Sequence, residues 1–442
     1  MSVKKRLLKN GISSLFLRLV TISEQFLLVP IFISAWGADY YGEWLTLTII
    51  PSIVGLLDVG FGLAVANTFI LNYVSGNKQA AANTYKSGMF TLHLIVFLSM
   101  LVAFVFVFTL NYFDIFDKLL IPKNEAIIAV SILIFSKIIL FYKQLFDAIF
   151  VASRKFNISV NLQAIYSTLL IISSVIILLF KGGIVLFSLV NLIVTLFYVF
   201  IYAIIAKRIL PLKSFNGQVV VSEIKNLFKV GIGYLLAKVW EAIFFQGTTF
   251  VVRVVLGPIA VTIFNTVRKL SRTIFQVNTL VVSSVMPELQ YALGKRQFNQ
   301  ARKLFRFNVF IVLLMSVLGV LLLISFGSWF YQVWTRKELA PPNVMWYVFI
   351  FGIVFNSLWA ISSEVILAAN KPYSFTIPAT VMAIVSILIS YIFALKFGLS
   401  GVAIGSLVMD ITLCMYLLPF SCRLLHQPLN EIFSTISLDF KI

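Results

Sequence analysis

Three basic residues, Arg268, Lys269 and Arg272, stand close together within a stretch that is otherwise largely apolar and contains no acidic residue between positions 259 and 286. Guanidinium groups bind phosphate and diphosphate through bidentate, charge-assisted hydrogen bonds. Polar residues that recur every three or four positions share one face of a helix and are expected to line water. The members of this polar stripe are Asn265, Arg268, Arg272, Gln276 and Thr279.

Two further cations occupy related positions earlier in the chain. Arg18 and Lys238 lie in apolar segments and are 220 residues apart. Ionisable residues at membrane depth are costly unless they face a partner or a wet cavity, so they mark candidate functional sites. We expect Arg18, Lys238, Arg268 and Arg272, with Lys269 nearby, to form a positive ring in the cytoplasmic half of the membrane that binds phosphate or pyrophosphate.

Other charged residues in apolar segments have simpler interpretations. Lys143 and Asp147 are spaced i, i+4, and Lys238 and Glu241 i, i+3, so each pair can form within one helix. For Lys137 and Asp410 the sequence leaves a structural and a functional role equally open.

The whole composition indicates an integral membrane protein. Of 442 residues, 60% are hydrophobic and 12% are charged. Apolar runs of about 20 residues, long enough to cross a hydrocarbon core as a helix, recur along the chain. We predict an all-α polytopic protein with twelve transmembrane helices. The predicted spans are 11–34, 42–70, 87–110, 125–150, 158–180, 184–206, 228–254, 259–286, 304–326, 343–368, 375–396 and 400–420.

The net charge of +19 is largely explained by basic residues in alternate loops. By the positive-inside rule these loops are cytoplasmic, which places both termini in the cytoplasm and removes nucleic acid as an expected partner. The sequence lacks a phosphate-binding Gly-x-x-x-x-Gly-Lys-Ser/Thr loop and a Cys/His cluster with metal-ligand spacing, so no cofactor is predicted.

Short matches between the two halves indicate a duplication. Residues 71–79 match 289–297 and residues 183–190 match 401–408, both at an offset of 218, while 151–155 resembles 367–371 at 216. Six helices per repeat give both halves the same orientation, as in transporters built from parallel repeats. We predict an N-terminal bundle over residues 1–210, a cytoplasmic linker over 211–227, and a C-terminal bundle with a short tail over 228–442.

A pattern in the first spans resembles a known family. It comprises Tyr41-Gly42-Glu43-Trp44, Leu57-Asp58-Val-Gly60-Phe-Gly62-Leu-Ala64, Asn67, and residues 73–78. These residues resemble the O-antigen (Wzx-type) flippases of bacterial polysaccharide biosynthesis, in the multidrug/oligosaccharidyl-lipid/polysaccharide (MOP) exporter superfamily.

The resemblance implies two bundles in a V around a cationic cavity in the bacterial inner membrane. It also implies a polyprenyl-diphosphate-linked oligosaccharide as substrate, and a polysaccharide polymerase as a partner. The substrate would cross from the cytoplasmic to the periplasmic leaflet, driven by an ion gradient. Glu24, Asp58 and Glu241 are the candidates for coupling to H⁺ or Na⁺ or for gating.

Asp58 lies beside Gly60 and Gly62, which would permit close helix packing or bending. Hydrogen bonding by Asp58 and ion coupling both remain open. A cation-coupled multidrug exporter of the same fold is the alternative function, although a cationic cavity would repel cationic drugs. A membrane enzyme would need larger external loops, so we predict a protein without enzymatic activity.

Overall fold

A computed structural model describes residues 3–55, 59–210, 217–294, 297–369 and 371–432, and the chain in these ranges is almost entirely helical. Asp58 lies outside them. The α-helices are α1 (Val3–Leu47), α2 (Ile49–Val54), α3 (Val59–Val74), α4 (Lys78–Tyr112), α5 (Lys123–Ile139), α6 (Phe141–Ala152), α7 (Phe156–Leu179), α8 (Ile184–Ile209), α9 (Val221–Leu256), α10 (Pro258–Gly294), α11 (Phe298–Leu322), α12 (Ser328–Trp334), α13 (Asn343–Ala368) and α14 (Tyr373–Leu424). Short 3₁₀ turns cover Phe116–Lys118 and Leu429–Ile432, and a π-helical turn over Leu323–Gly327 joins α11 to α12.

Nine helical segments within the described ranges are long and apolar enough to cross a membrane. Two of them, Ile12–Val54 and Tyr373–Leu424, have 43 and 52 residues, about twice the length of one span. Each turns back at a glycine with positive φ, Gly37 at 78° and Gly398 at 58°. Each of these two long segments counts as two spans, which gives eleven. The 37-residue α10, whose charges lower its hydropathy, is the twelfth. The twelve predicted spans are therefore confirmed.

Turns in the left-handed region recur with the sequence repeat. Gly37 and Gly257, with φ of 78° and 87°, are 220 residues apart and each separates the first two spans of its half. Lys181 and Gly398, at 53° and 58°, are 217 residues apart and each separates the last two spans. Since residues other than glycine seldom adopt positive φ, the recurrence of these turns at nearly the repeat offset agrees with the duplication.

The chain forms two compact units, Met1–Val239 (unit 1) and Trp240–Ile442 (unit 2). The division falls within α9. The first part of α9 packs on unit 1, where Phe228 contacts Phe61 with ring centroids 4.9 Å apart. The preceding segment is held by α4, since the Val220 amide donates to Ser87 Oγ at 2.9 Å.

Unit 1 packs α3, α4, α6 and α8 around a buried aromatic core that includes Phe69, Phe150 and Tyr202. α1 lies against α7, and α5 against α8. Many large apolar side chains on the outer faces of these helices are exposed, such as Phe104 and Phe197. Because a bilayer is itself an apolar solvent, such faces are stable only when lipid covers them.

In unit 2, α13 packs against α10, α11 and α14. Gly398 divides α14 into a first and a second arm. Its C-terminal tail is held by two arginines of α11. Arg302 donates to the Leu425 carbonyl at 2.8 Å, and Arg306 pairs with Glu431 at 2.5 Å. The part of the tail that the structure describes, up to residue 432, therefore packs against α11.

Candidate functional site

The polar stripe, which includes Arg268 and Arg272, lies on α10, and this helix begins directly after Gly257. The left-handed φ of Gly257 reverses the chain, and Pro258 starts the next helix at the position where a missing N–H costs nothing. α10 therefore returns alongside the second part of α9, and both belong to unit 2. This hairpin brings the cations of α10 against the hydroxyls and the carboxylate of α9.

Arg268 is bound tightly between the two helices. Its Nη1 donates to Thr248 Oγ1 at 2.8 Å and to the Phe245 carbonyl at 3.2 Å. Its Nη2 donates to Thr249 Oγ1 at 2.7 Å and to Asn265 Oδ1 at 2.5 Å. All four acceptors are uncharged, so the guanidinium is hydrogen-bonded but its charge is not neutralised by them.

Arg272, one turn further along α10, has a more open environment. Its guanidinium carbon lies 4.0 Å from the centroid of the Phe245 ring, a cation–π contact. Its Nη2 is 3.9 Å from Glu241 Oε1, beyond hydrogen-bond distance, and its side chain is 33% exposed. Within the described ranges it makes no hydrogen bond, so its donors can reach a ligand.

A cavity of about 60 Å³ beside these arginines has room for a few water molecules. Asp410, on the second arm of α14, lines it together with Arg268 and Arg272. Asp410 Oδ1 accepts hydrogen bonds from Asn356 Nδ2 and Trp359 Nε1, both at 2.8 Å. Asp410 is thus held in place by neutral donors in the same cavity as two guanidinium groups.

Sequence reasoning left the role of Asp410 open and missed its two partners on α13. The residues next to Asp410 in the sequence are mostly apolar and do not indicate which side chains of other helices contact it. Asn356 and Trp359 are spaced i, i+3 on one helix face, which would have been the only clue that they share a partner. Phe245, which contacts both arginines, was also missed because phenylalanine is common throughout this chain.

The predicted site residues divide between the two units. Glu241, Arg268, Lys269 and Arg272 lie in unit 2, where Glu241 is the residue that faces Arg272. The others that the structure describes lie in unit 1: Arg18 and Glu24 on α1, Gly60 and Gly62 on α3, and Lys238 on α9. The ring of positive charge drawn from both halves stays a prediction.

Gly60 occupies a place where two helices touch through their backbones. A Cβ added there would lie 2.2 Å from the Gly231 carbonyl oxygen on α9. This contact gives Gly60 the close-packing role considered from the sequence. Bending at Gly60 or Gly62 stays a prediction.

The i, i+4 pair on α6 forms as expected, with Lys143 Nζ 2.6 Å from Asp147 Oδ2. Asp147 Oδ1 also accepts from Ser159 Oγ at 2.7 Å and from the Tyr202 hydroxyl. A carboxylate with this many donors is well satisfied inside unit 1. The geometry is that of a structural ion pair joining α6, α7 and α8.

Comparison of the structure with known ones shows extended similarity to transporters. An inward-facing multidrug resistance MATE family transporter of the MOP superfamily superposes with a TM-score of 0.75 at 15% identity, over 94% of this chain and 96% of that one. An outward-facing multidrug resistance MATE family transporter superposes with a TM-score of 0.68 at 14% identity, over 96% of each chain. A MOP superfamily transporter from Pyrococcus furiosus superposes with a TM-score of 0.65 at 14% identity, over 98% of this chain and 97% of that one. The reverse polarity of its binding pocket is described as suggesting a different function for that protein.

No family model and no curated protein sequence matches the chain significantly. At such low identity the structural similarity establishes the fold alone. The similarity nevertheless extends over nearly the whole length of both chains, and each half contributes six membrane-spanning helices. The chain therefore has the twelve-helix, two-bundle fold of the MOP superfamily transporters.

Proposed function

We propose that this protein is a membrane transporter that moves a polyprenyl-diphosphate-linked oligosaccharide from the cytoplasmic to the periplasmic leaflet by alternating access. The observation that carries the proposal is the cationic cluster on α10, within a fold shared with transporters. The diphosphate is the anionic part of such a lipid, and arginine is well suited to bind it. The prenyl chain would remain in the bilayer.

Within this proposal the two arginines have different roles. Arg268 already uses four hydrogen bonds within unit 2, so it positions α10 on α9. Arg272 is the residue that contacts the diphosphate, with Lys269 adding positive charge. Because Glu241 lies 3.9 Å from Arg272, a phosphate that binds Arg272 competes with that carboxylate. We propose that Glu241 takes up H⁺ or Na⁺ when a phosphate displaces it from Arg272, which links ion binding to substrate binding.

The test is transport of a lipid-linked glycan in inverted vesicles that contain the protein and an imposed ion gradient. Replacing both Arg272 and Lys269 by Ala should lower the rate at limiting substrate by about 10- to 100-fold, the range for losing charge-assisted hydrogen bonds. Lys207→Ala/Arg208→Ala, at the exposed end of α8, removes the same charge and should leave the rate unchanged. Equal rates in both double variants would refute the assignment of Arg272 and Lys269.

Multidrug export is a second candidate, favoured by the structural similarity to multidrug resistance MATE family transporters. Four phenylalanines, Phe244, Phe245, Phe275 and Phe349, line the cavity beside Arg272 together with Asp410. Aromatic rings and a carboxylate attract an organic cation, whereas Arg268 and Arg272 in the same lining repel it, so the cavity itself supports drug export less than the shared fold does. Uptake of a fluorescent cationic dye into the same inverted vesicles, abolished by Asp410→Asn and insensitive to the lipid-linked glycan, would favour this function over flipping.

A further inference from the structure

Unit 1 contains a second, larger cavity that the proposed diphosphate site does not use. Its volume is about 270 Å³, close to the lower end of the range for small-molecule sites. It lies among α1, α2, α5, α7 and α8, all within unit 1. Half of its lining residues are polar or charged, which is unusual for a space enclosed by membrane-spanning helices.

Two donors on α5 point to a ligand in this cavity. Ser136 is only 6% exposed, and its hydroxyl is buried without a hydrogen-bond partner. The neighbouring Lys137 also lines the cavity and, among the residues that the structure describes, its ammonium group makes no hydrogen bond or ion pair closer than 4 Å. Polar groups in such a place are costly unless water or a ligand binds them.

The charges of the cavity indicate the net charge of its ligand. Glu24, on α1, lines the same space and interacts electrostatically with Lys137. One carboxylate and one ammonium group balance each other. A ligand that carries a net charge would disturb this balance, whereas an uncharged ligand with both donors and acceptors can accept from Lys137 and donate to Glu24.

The remaining polar groups mostly offer acceptors. Asn191 Nδ2 donates to the Phe187 carbonyl at 2.8 Å, which leaves Asn191 Oδ1 available to accept. The hydroxyls of Thr48 and Ser52 each donate to their own helix at 2.7 Å, so their lone pairs are available as well. A ligand with several hydroxyl groups matches this arrangement, because each hydroxyl has one donor and two acceptor positions.

Aromatic side chains form one wall of the cavity. Trp44 and Phe187 both line it, with ring centroids 5.1 Å apart, and Phe32 packs on Phe187 at 5.3 Å. Trp44 is held by the segment that carries it, since Tyr41 stacks on Phe32 at 4.8 Å. The Tyr41-Gly42-Glu43-Trp44 segment therefore supplies a rigid apolar surface against which the C–H face of a ring can lie.

We propose that this cavity is a binding site for an uncharged, polyhydroxylated ring, namely a neutral hexose unit. Lys137 and Ser136 donate to its hydroxyl oxygens, Glu24 and Asn191 accept from its hydroxyl groups, and Trp44 packs on its apolar face. The site involves none of the residues assigned to the diphosphate. The hexose is either a free sugar or a sugar unit of a larger glycan.

The experiment is equilibrium binding of sugars to the full-length protein in lipid nanodiscs, measured by calorimetry and by tryptophan fluorescence, with Trp44→Phe showing how much of the fluorescence change comes from Trp44. Neutral hexoses and their methyl glycosides should bind saturably, and hexuronates and hexosamines about tenfold more weakly or not at all. If methyl glycosides bind as well as free hexoses, the site accepts a sugar unit of a glycan. If only free hexoses bind, the ligand is the free sugar.

Variants connect the binding to these residues. Lys137→Met and Asn191→Leu should each raise the dissociation constant about tenfold or more. Ser131→Ala, on the exposed face of α5 and outside the cavity, should not change it. Size-exclusion profiles and thermal unfolding show whether each variant is folded. As a second measure, hexose should protect Ser136→Cys from a small thiol reagent in a background with Cys414 and Cys422 replaced by Ala.

Absence of saturable binding to the wild-type protein, preference for charged sugars, or unchanged affinity in folded Lys137→Met and Asn191→Leu proteins would overturn the proposal. Failure of lipid-linked glycan transport would not, because that assay tests Arg272 and Lys269 in unit 2. The two proposals can therefore fail separately.

Discussion

The contrast between Arg268 and Arg272 can be tested by removing each guanidinium in turn. Arg268→Met and Arg272→Met both keep an apolar stem of similar length and both remove one positive charge from α10. The two residues are one helical turn apart. Any difference in stability between the variants therefore reports the local environment of each guanidinium and not the net charge of the helix.

For Arg268→Met we expect a loss of about 4 kcal/mol in the free energy of unfolding. Four hydrogen bonds disappear, and the acceptors Thr248 Oγ1, Thr249 Oγ1 and Asn265 Oδ1 lose a charged donor. Leaving a buried acceptor unsatisfied costs about 1–3 kcal/mol, but the two hydroxyls keep their bonds to backbone carbonyls, so the full sum is not reached.

For Arg272→Met we expect a loss of only about 1 kcal/mol in the free energy of unfolding. The ion pair with Glu241 at 3.9 Å contributes little because the side chains are 33% and 38% exposed. The contact with Phe245 adds roughly 0.5–1 kcal/mol, part of which the methionine replaces through its own packing on the ring.

The assay is unfolding of the purified protein by denaturant in a fixed detergent, followed by tryptophan fluorescence, with transport by the same variants in vesicles. Arg268→Met should be the less stable protein, and Arg272→Met should be the folded but poorly transporting one. A larger stability loss for Arg272→Met than for Arg268→Met would refute the division between a positioning and a ligand-binding arginine.

Two further predictions concern other parts of the chain. Gly60→Ala should lower the free energy of unfolding by about 1–3 kcal/mol and reduce the folded yield, because the added Cβ would lie 2.2 Å from the Gly231 carbonyl oxygen. Gly183→Ala, which has open space around the added Cβ, is the control in the same unfolding assay. In the loop before α5, the hydrogen bond from Lys123 lowers the pKa of Asp117, so this pair adds stability at neutral pH that is lost as the pH falls through the lowered pKa. The side chains of Asp117 and Lys123 are 44% and 35% exposed, so solvent weakens the pair. We therefore expect Asp117→Asn to lower the unfolding midpoint slightly at neutral pH and not at a pH below the lowered pKa, and an equal drop at both pH values would contradict this.

The membrane-spanning architecture could be predicted from the sequence because it depends on local properties. The length and apolar character of a segment decide whether it crosses a bilayer, and no contact with another segment is needed for that decision. The duplicated halves were also visible, since matched residues keep a nearly constant offset. The predicted boundaries between the first two and the last two of the twelve spans coincide with the non-helical turns at Gly37 and Gly398.

The site was predictable only in part. Arg268 and Arg272 were found because cations in an apolar segment are conspicuous by type. Their different roles were not, because both lie on the same predicted stripe and the spacing alone treats them alike. The difference arises from α9, which offers hydroxyls and a carbonyl to Arg268 but a phenylalanine ring and a distant carboxylate to Arg272.

The sequence by itself determined that this chain spans a membrane in twelve helices and that basic residues concentrate on the eighth. Only the tertiary structure decided which polar groups face each other: Asp410 with Asn356 and Trp359, and Lys137 with Glu24 across a cavity. The physical reason is that burial in a membrane is a property of each segment, whereas hydrogen bonding and charge compensation are properties of pairs. The partners in these pairs lie on different helices, and their meeting depends on how the helices pack.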